Sequence, residues 1–399
     1  MKYSNIFKIN IFLKYLLLSI LILLFIEILL FFFFNYEWSR KPRPFGEKNT
    51  YSIYYKQFHP LFRNLDHLKH KDLTVYDEFM DYALGPNSFL YRDYGEGYTS
   101  TIEVDEFKFS HNGDIKKNAL LQRKKENNEV RIIFIGGSTT FGTGASNNSK
   151  TYPAQVERII NSLNIKDKLF LFINAGVLGF NTRNEYIYLK KYLIKLNPDL
   201  VVFLDGDNDA YTGIVQEKFD KEFHNMKITE KRNLKNNLFS FPQKLYLFNL
   251  LHRLKNTQIL KLNLKNKENL KSYYHKEVSI EFKKNIENIL EILESNGVKG
   301  IFYLQPNLFL KKKINKNEKF LLDSLKREGF KEMVNIYYDD FRNIFLNFEI
   351  KYKNNKNIYF RDISNLDLSY VSWAHSDDIG YHALATNTSN DIIKILDLD

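Results

Sequence analysis

The 399-residue sequence contains no cysteine. Disulfides, thiolate metal sites and a cysteine nucleophile are therefore excluded, while the compartment stays open because exported proteins also lack cysteine. It also has no compact basic motif set beside stacking aromatics. The formal net charge is +11, but the lysines are spread along the chain and mixed with asparagine. A basic balance is only the first sign of nucleic-acid binding, so no nucleic-acid partner is expected. No internal repeat is visible, and neither a metal nor an organic cofactor is signalled. What remains is 44% hydrophobic residues, enough for one large domain or two smaller ones with a real core.

Residues 15 to 34 are apolar except for Ser19 and Glu27. About 20 such residues span a bilayer as a helix, so residues 1–38 read as an N-terminal membrane anchor. The apolar stretch is too long for a signal peptide, and residues 35–38 offer no small-residue cleavage site. Tyr36 and Trp38 suit the interface. Lys2, Lys8 and Lys14 before the span balance Arg40, Lys41 and Arg43 after it, so charge does not set the orientation. Glu27 costs about 3 kcal/mol at mid-bilayer if it follows the other charged residues; it either faces a partner helix or, the favoured reading, is protonated and tolerated. Residues 39–125 read as a linker and a small accessory region with β elements. Within it, residues 99–110 alternate Ile102, Val104, Phe107 and Phe109 with polar residues, and His111-Asn112-Gly113 closes a strand and turn.

From residue 131 the pattern becomes β-α-β-α. Residues 132–135 are a buried strand, and residues 151–163 are a helix with Pro153 in its first turn. Residues 169–173 are a second strand, 184–196 a helix, and 200–204 a third strand. Lysine- and asparagine-rich residues 212–275 read as an insertion that could be a lid. A helix over 279–295, a strand over 300–305, helical stretches between 317 and 348, a strand near 358–360 and a last helix from about 379 follow. Such alternation implies a parallel sheet with right-handed crossovers.

Three glycine-bearing turns follow the first three strands. Gly136-Gly137-Ser138 alone is an ordinary strand-to-helix turn, but Gly179 and Asn208 come at the same sheet edge, and His375 precedes the last helix. A hydroxyl, an imidazole and N–H donors at one edge are the inventory of an acyl-transfer site. Gly137-Ser138-Thr139-Thr140-Phe141-Gly142, Asn174-Ala175-Gly176-Val177-Leu178-Gly179, Gly206-Asp207-Asn208-Asp209 and Ser372-Trp373-Ala374-His375 together resemble the blocks of the SGNH (GDSL-like) hydrolase family, over roughly residues 128–399. The resemblance implies a three-layer α/β/α, flavodoxin-like domain over residues 126–399. It further implies Ser138 as nucleophile, His375 as general base, and the Ser138 N–H, Gly179 N–H and Asn208 amide as oxyanion hole.

The family pattern Asp-x-x-His has serine at position 372. Ser372 or a backbone carbonyl orients His375, or Asp377 or Asp378 replaces the missing acid, or the site is slow. His382 reads as a packing or solvated residue rather than the base, and His67 and His70, with no partner pattern, read as surface residues. Asp205, Asp207 and Asp209 read as loop and helix caps rather than metal ligands. The expected activity is ester hydrolysis on envelope carbohydrate or lipid esters by a membrane-tethered bacterial enzyme facing outward. The alternatives are O-acyl transfer to a glycan hydroxyl, and a non-catalytic glycan- or partner-binding module that keeps the fold.

Overall fold

The computed structural model describes residues 73–398 except 78, 96–97, 115, 215–273 and 325–328, with scattered positions between 15 and 29. Those N-terminal positions are helical, and most of their apolar side chains are exposed. Among the described residues, no helix is long and apolar enough to cross a membrane. The rest of the expected span, Glu27, His67, His70 and nearly all of the 212–275 insertion lie outside the described residues.

Two antiparallel hairpins come first, β1 (Thr74–Asp77) with β2 (Asp81–Leu84) and β3 (Phe89–Gly95) with β4 (Tyr98–Glu103). The strand expected over 99–110 stops at Glu103. The Asp105 carboxylate accepts the N–H groups of Phe107 and Phe109 at 2.9 Å each, which rolls the chain into a turn instead of extending the ladder. Leu84, Leu90, Ile102 and Val104 nevertheless belong to the same apolar cluster as the main sheet.

The central sheet contains β5 (Glu129–Gly136), β6 (Leu169–Asn174), β7 (Leu200–Asp205), β8 (Lys299–Leu304) and β9 (Ile358–Asp362). All neighbours are parallel, in the order β6-β5-β7-β8-β9. The strands are nearly continuous apolar runs, as they must be when helices cover both faces. Every residue of β7 is buried. Across one face, Phe203, Phe302 and Phe360 lie opposite one another in register and stack with centroids 4.7 and 4.5 Å apart. Each such pair adds about 0.5–1.5 kcal/mol beyond area burial.

The helices are α1 (Ser138–Phe141), α2 (Tyr152–Ser162), α3 (Thr182–Lys191), α4 (Asp207–Ile214), α5 (Lys276–Ser295), α6 (Lys316–Ser324), α7 (Phe330–Tyr352) and α8 (Asp378–Leu396). Thr151 caps α2 through the Ala154 N–H, and Asn181 caps α3 with a reciprocal Asn184 bond. Helices α2 and α8 pack together, as do α3 with α5 and α7 with α4. Since β6 and β7 flank β5 on opposite sides, right-handed crossovers put α2 and α3 on opposite faces. Chain order reverses between β5 and β7, and ligands of such sheets bind beyond the strand carboxyl ends at that switch point. Ser138 follows β5 and Asn208 follows β7.

Candidate active site

The turns after β5, β6 and β7 converge at this edge because each strand end holds the next turn in place. Gly137 precedes α1, and a side chain there would collide with the Asn208 amide nitrogen and crowd the Phe180 carbonyl. Only glycine lets Asn208 lie this close to the Ser138 backbone. After β6, the Phe180 N–H donates to the Val177 carbonyl at 3.2 Å, and Gly179 takes φ +76° in that turn. Asn208 Nδ2 donates to the Phe180 carbonyl at 2.7 Å. An amide nitrogen carries two hydrogens, so the second remains for a ligand.

His375 reaches the same place from the loop before α8. A bridge between Tyr370 and Ser376, and the Val371 N–H bonded to the His375 carbonyl at 2.9 Å, fold this loop into a tight turn. Thr139 Oγ1 donates to the Ala374 carbonyl at 3.1 Å, tying α1 to the loop, and the Gln305 amide donates to that same hydroxyl at 2.9 Å. The imidazole is thereby aimed. His375 Nε2 lies 2.7 Å from Ser138 Oγ, and His375 Nδ1 lies 2.7 Å from Ser372 Oγ. Ser372 Oγ also accepts the His375 backbone N–H at 3.1 Å.

If Nε2 is to take the Ser138 proton, Nδ1 must carry hydrogen and donate to Ser372 Oγ. A hydroxyl can accept both bonds, so Ser372 can fix the tautomer and ring orientation that a triad carboxylate fixes. It brings no negative charge. Burial, and then the cation of Arg92, push the imidazole down to about 3. The neutral, proton-accepting form consequently prevails across the physiological range.

The two acids after His375 are engaged elsewhere. Asp377 caps α8 through the Gly380 N–H at 2.9 Å and accepts the Ser369 hydroxyl at 2.6 Å. Asp378 accepts the Ser146 N–H and hydroxyl, both at 2.7 Å. Of the three orienters considered, the structure brings only Ser372 to the imidazole. His382 Nδ1 lies 2.9 Å from the Gln155 side chain, between α8 and α2.

Below the turn lies a group of buried carboxyls. Asp209 accepts the Thr182 hydroxyl at 2.7 Å, and Asp207 accepts the Asn307 amide. Burial pushes each of these up to about 7. Burial, and then the negative charge of Asp205, push the Glu185 carboxyl on α3 well above the usual carboxylate range, and both Asp205 oxygens are buried without a hydrogen-bond partner. Among the described residues, no group of three or more such side chains is arranged to hold a metal ion. Acids raised above their unfolded values of about 4 bind more protons in the native state, so their contribution to stability falls as pH rises from about 4 to 7. Glu185→Gln leaves a neutral polar group of the same shape beside Asp205 and is expected to cost less than about 1 kcal/mol. Glu185→Leu removes the polar group beside Asp205 and is expected to cost about 3 kcal/mol at pH 5 and less at pH 8, because the raised carboxyl it deletes contributes less as pH rises. Urea midpoints at the two pH values check this.

Sequence reasoning missed Arg92, which stands on β3 and whose charge reaches the imidazole. It also missed Glu185, although its place one turn before Tyr188 and Leu189, both buried, was a readable signal. At the opposite, amino-terminal edge of the sheet, a cleft of about 460 Å³ is lined by Lys125, Pro198, Asp199 and Lys299. It holds none of the motif residues.

No protein-family model matches the chain, and no curated protein matches it. Solved structures to which it is similar include three from bacteria. A carbohydrate acetylesterase family member from Sinorhizobium meliloti is 14% identical, covering 67% of this chain and 99% of that one, with a TM-score of 0.38. A family 3 carbohydrate esterase from Clostridium thermocellum is 16% identical, covering 67% and 98%, with a TM-score of 0.35. A GDSL-like lipase from Bacteroides thetaiotaomicron is 14% identical, covering 70% and 94%, with a TM-score of 0.35.

Proposed function

We propose that this chain is a serine-dependent ester hydrolase that works through an acyl-enzyme on Ser138. The observation that carries this reading is the 2.7 Å contact between Ser138 Oγ and His375 Nε2, whose other ring nitrogen is held by Ser372. His375 takes the Ser138 proton as Oγ attacks the ester carbonyl. The Ser138 and Gly179 N–H groups and the spare Asn208 N–H receive the developing oxyanion. The imidazolium then protonates the departing alcohol, leaving the acyl group on Ser138. Water, activated by the neutral imidazole, releases the acid and restores the serine. A sugar hydroxyl taking the place of water makes the same site an O-acyltransferase.

The setting belongs to the same proposal. Residues 15–34 tether the chain to the cytoplasmic membrane with the α/β part outside, where carbohydrate and lipid esters of the envelope are within reach. The length and apolar character of that stretch support it.

A non-catalytic binding module is the second reading, favoured by the hydroxyl that stands at 372 in place of a carboxylate. A fluorophosphonate probe separates the two. Labelling of the detergent-solubilised full chain, lost in Ser138→Ala and in no surface serine variant, is expected. No labelling between pH 6 and 9 counts against the enzyme.

A further inference from the structure

Arg92 puts a cation near the site, where its charge reaches His375. It lies opposite Ser100 in the β3–β4 register, so the two side chains share one face of the hairpin. That face looks inward: Leu90 and Ile102, its neighbours two residues away, are buried. Ser100 Oγ accepts the Gly144 N–H at 3.4 Å, and a Cβ on Gly144 would lie 3.2 Å from His375 Cβ. On the same hairpin, the Tyr98 hydroxyl donates to the Gly144 carbonyl at 2.7 Å. The inward face of β3–β4 is thus a wall of the site.

A guanidinium on such a wall should be paired, because leaving a cation partly withdrawn from water without a counter-charge costs free energy. Among the described residues, no acidic side chain pairs with Arg92. The buried Tyr94 hydroxyl beside it, kept neutral because burial raises its pKa, supplies no counter-charge. The cation also works against the chemistry, since it opposes charging of the imidazole. An unpaired charge that penalises the general base is explained when its counter-ion arrives with the substrate.

We propose that Arg92 reads a negative charge on the substrate, so that the ester taken by this site is borne on an anionic glycan. This rests on the esterase reading of Ser138 and His375 and names its substrate class. A guanidinium fork matches the paired oxygens of a carboxylate or a phosphate. The bound anion also offsets the positive charge facing His375, restoring part of what the serine at 372 leaves out.

The test uses the full chain carrying Ser138→Ala, which binds without turning over. One ligand pair is acetylated oligogalacturonate and the same oligomer with its carboxylates methyl-esterified. The other is acetylated glycerol-phosphate oligomers and acetylated uncharged glycerol oligomers. In calorimetry at low salt, the charged member of at least one pair is expected to bind about tenfold more tightly. The pair showing the preference identifies the anion. Adding Arg92→Gln is expected to bring that preference within about twofold, Arg92→Lys to restore part of it, and high salt to weaken only the charged ligand. Equal affinity or absent binding in both pairs, or a preference that survives Arg92→Gln, overturns the proposal. Failure of the wild-type chain to hydrolyse any ester, with the charge preference intact, counts instead against the esterase reading alone.

Discussion

Ser138→Ala is expected to lower kcat on p-nitrophenyl acetate by about 10³- to 10⁴-fold. The loss is large because the nucleophile and its base act as one unit, and what survives comes from the oxyanion donors and binding. His375→Ala should fall as far, and the double variant no further than either single one. That non-additivity distinguishes a shared catalytic step from two independent defects. Folding should be unaffected. Ser138 opens α1, and its hydroxyl has the imidazole as its hydrogen-bond partner, so alanine leaves the helix and strand bonds in place. A urea midpoint matching wild type, together with a rate above one tenth of wild type, would remove Ser138 from the nucleophile's role.

The parts of this site that the sequence revealed are those set by local rules. Strand ends are legible from where apolar runs stop, and the turns after β5, β6 and β7 sit where glycine and small polar residues begin. In a parallel sheet those ends share one edge, so Ser138, Gly179 and Asn208 could be placed together before any coordinates. The orienter of His375 was not legible, because Ser372, Asp377 and Asp378 are all within three residues of it. Helix capping decides among them: Asp377 is committed to the first turn of α8, and Asp378 to Ser146. Arg92 was hidden for a different reason. Its place depends on hairpin register and on packing against a loop almost 300 residues later, and neither leaves a periodic trace. The strand that ended early at Glu103 failed on one side chain, Asp105, whose bonds to the following N–H groups outweighed the alternating pattern.

Changing residue 372 is expected to move both the rate and its pH dependence, and in opposite directions for two substitutions. Ser372→Ala removes the acceptor for Nδ1–H, so the imidazole no longer has a fixed tautomer. A loss of about 10- to 50-fold in kcat/KM is expected, from one hydrogen bond of about 1 kcal/mol and the ring orientation it sets. Ser372→Asp supplies the charge that the site lacks. In a serine protease triad, replacing the acid by asparagine costs about 10⁴-fold; recovering part of that here should raise kcat/KM at pH 8 by about 10- to 100-fold. The interval from alanine to aspartate then approaches 10³-fold. The pH profile gives the independent check. With the imidazole pushed down to about 3 by burial and then by Arg92, it stays neutral as pH falls, so wild-type kcat/KM should be level from pH 8 to about 5. A carboxylate at 372 favours the protonated imidazole and raises its pKa, bringing the acid limb up toward neutrality. The aspartate variant should therefore outpace wild type at pH 8 and lose much of that advantage at pH 5. A wild-type profile that already falls below pH 6.5 would show that burial and Arg92 do not hold the imidazole neutral, and an aspartate variant with an unmoved limb would show that residue 372 does not govern it.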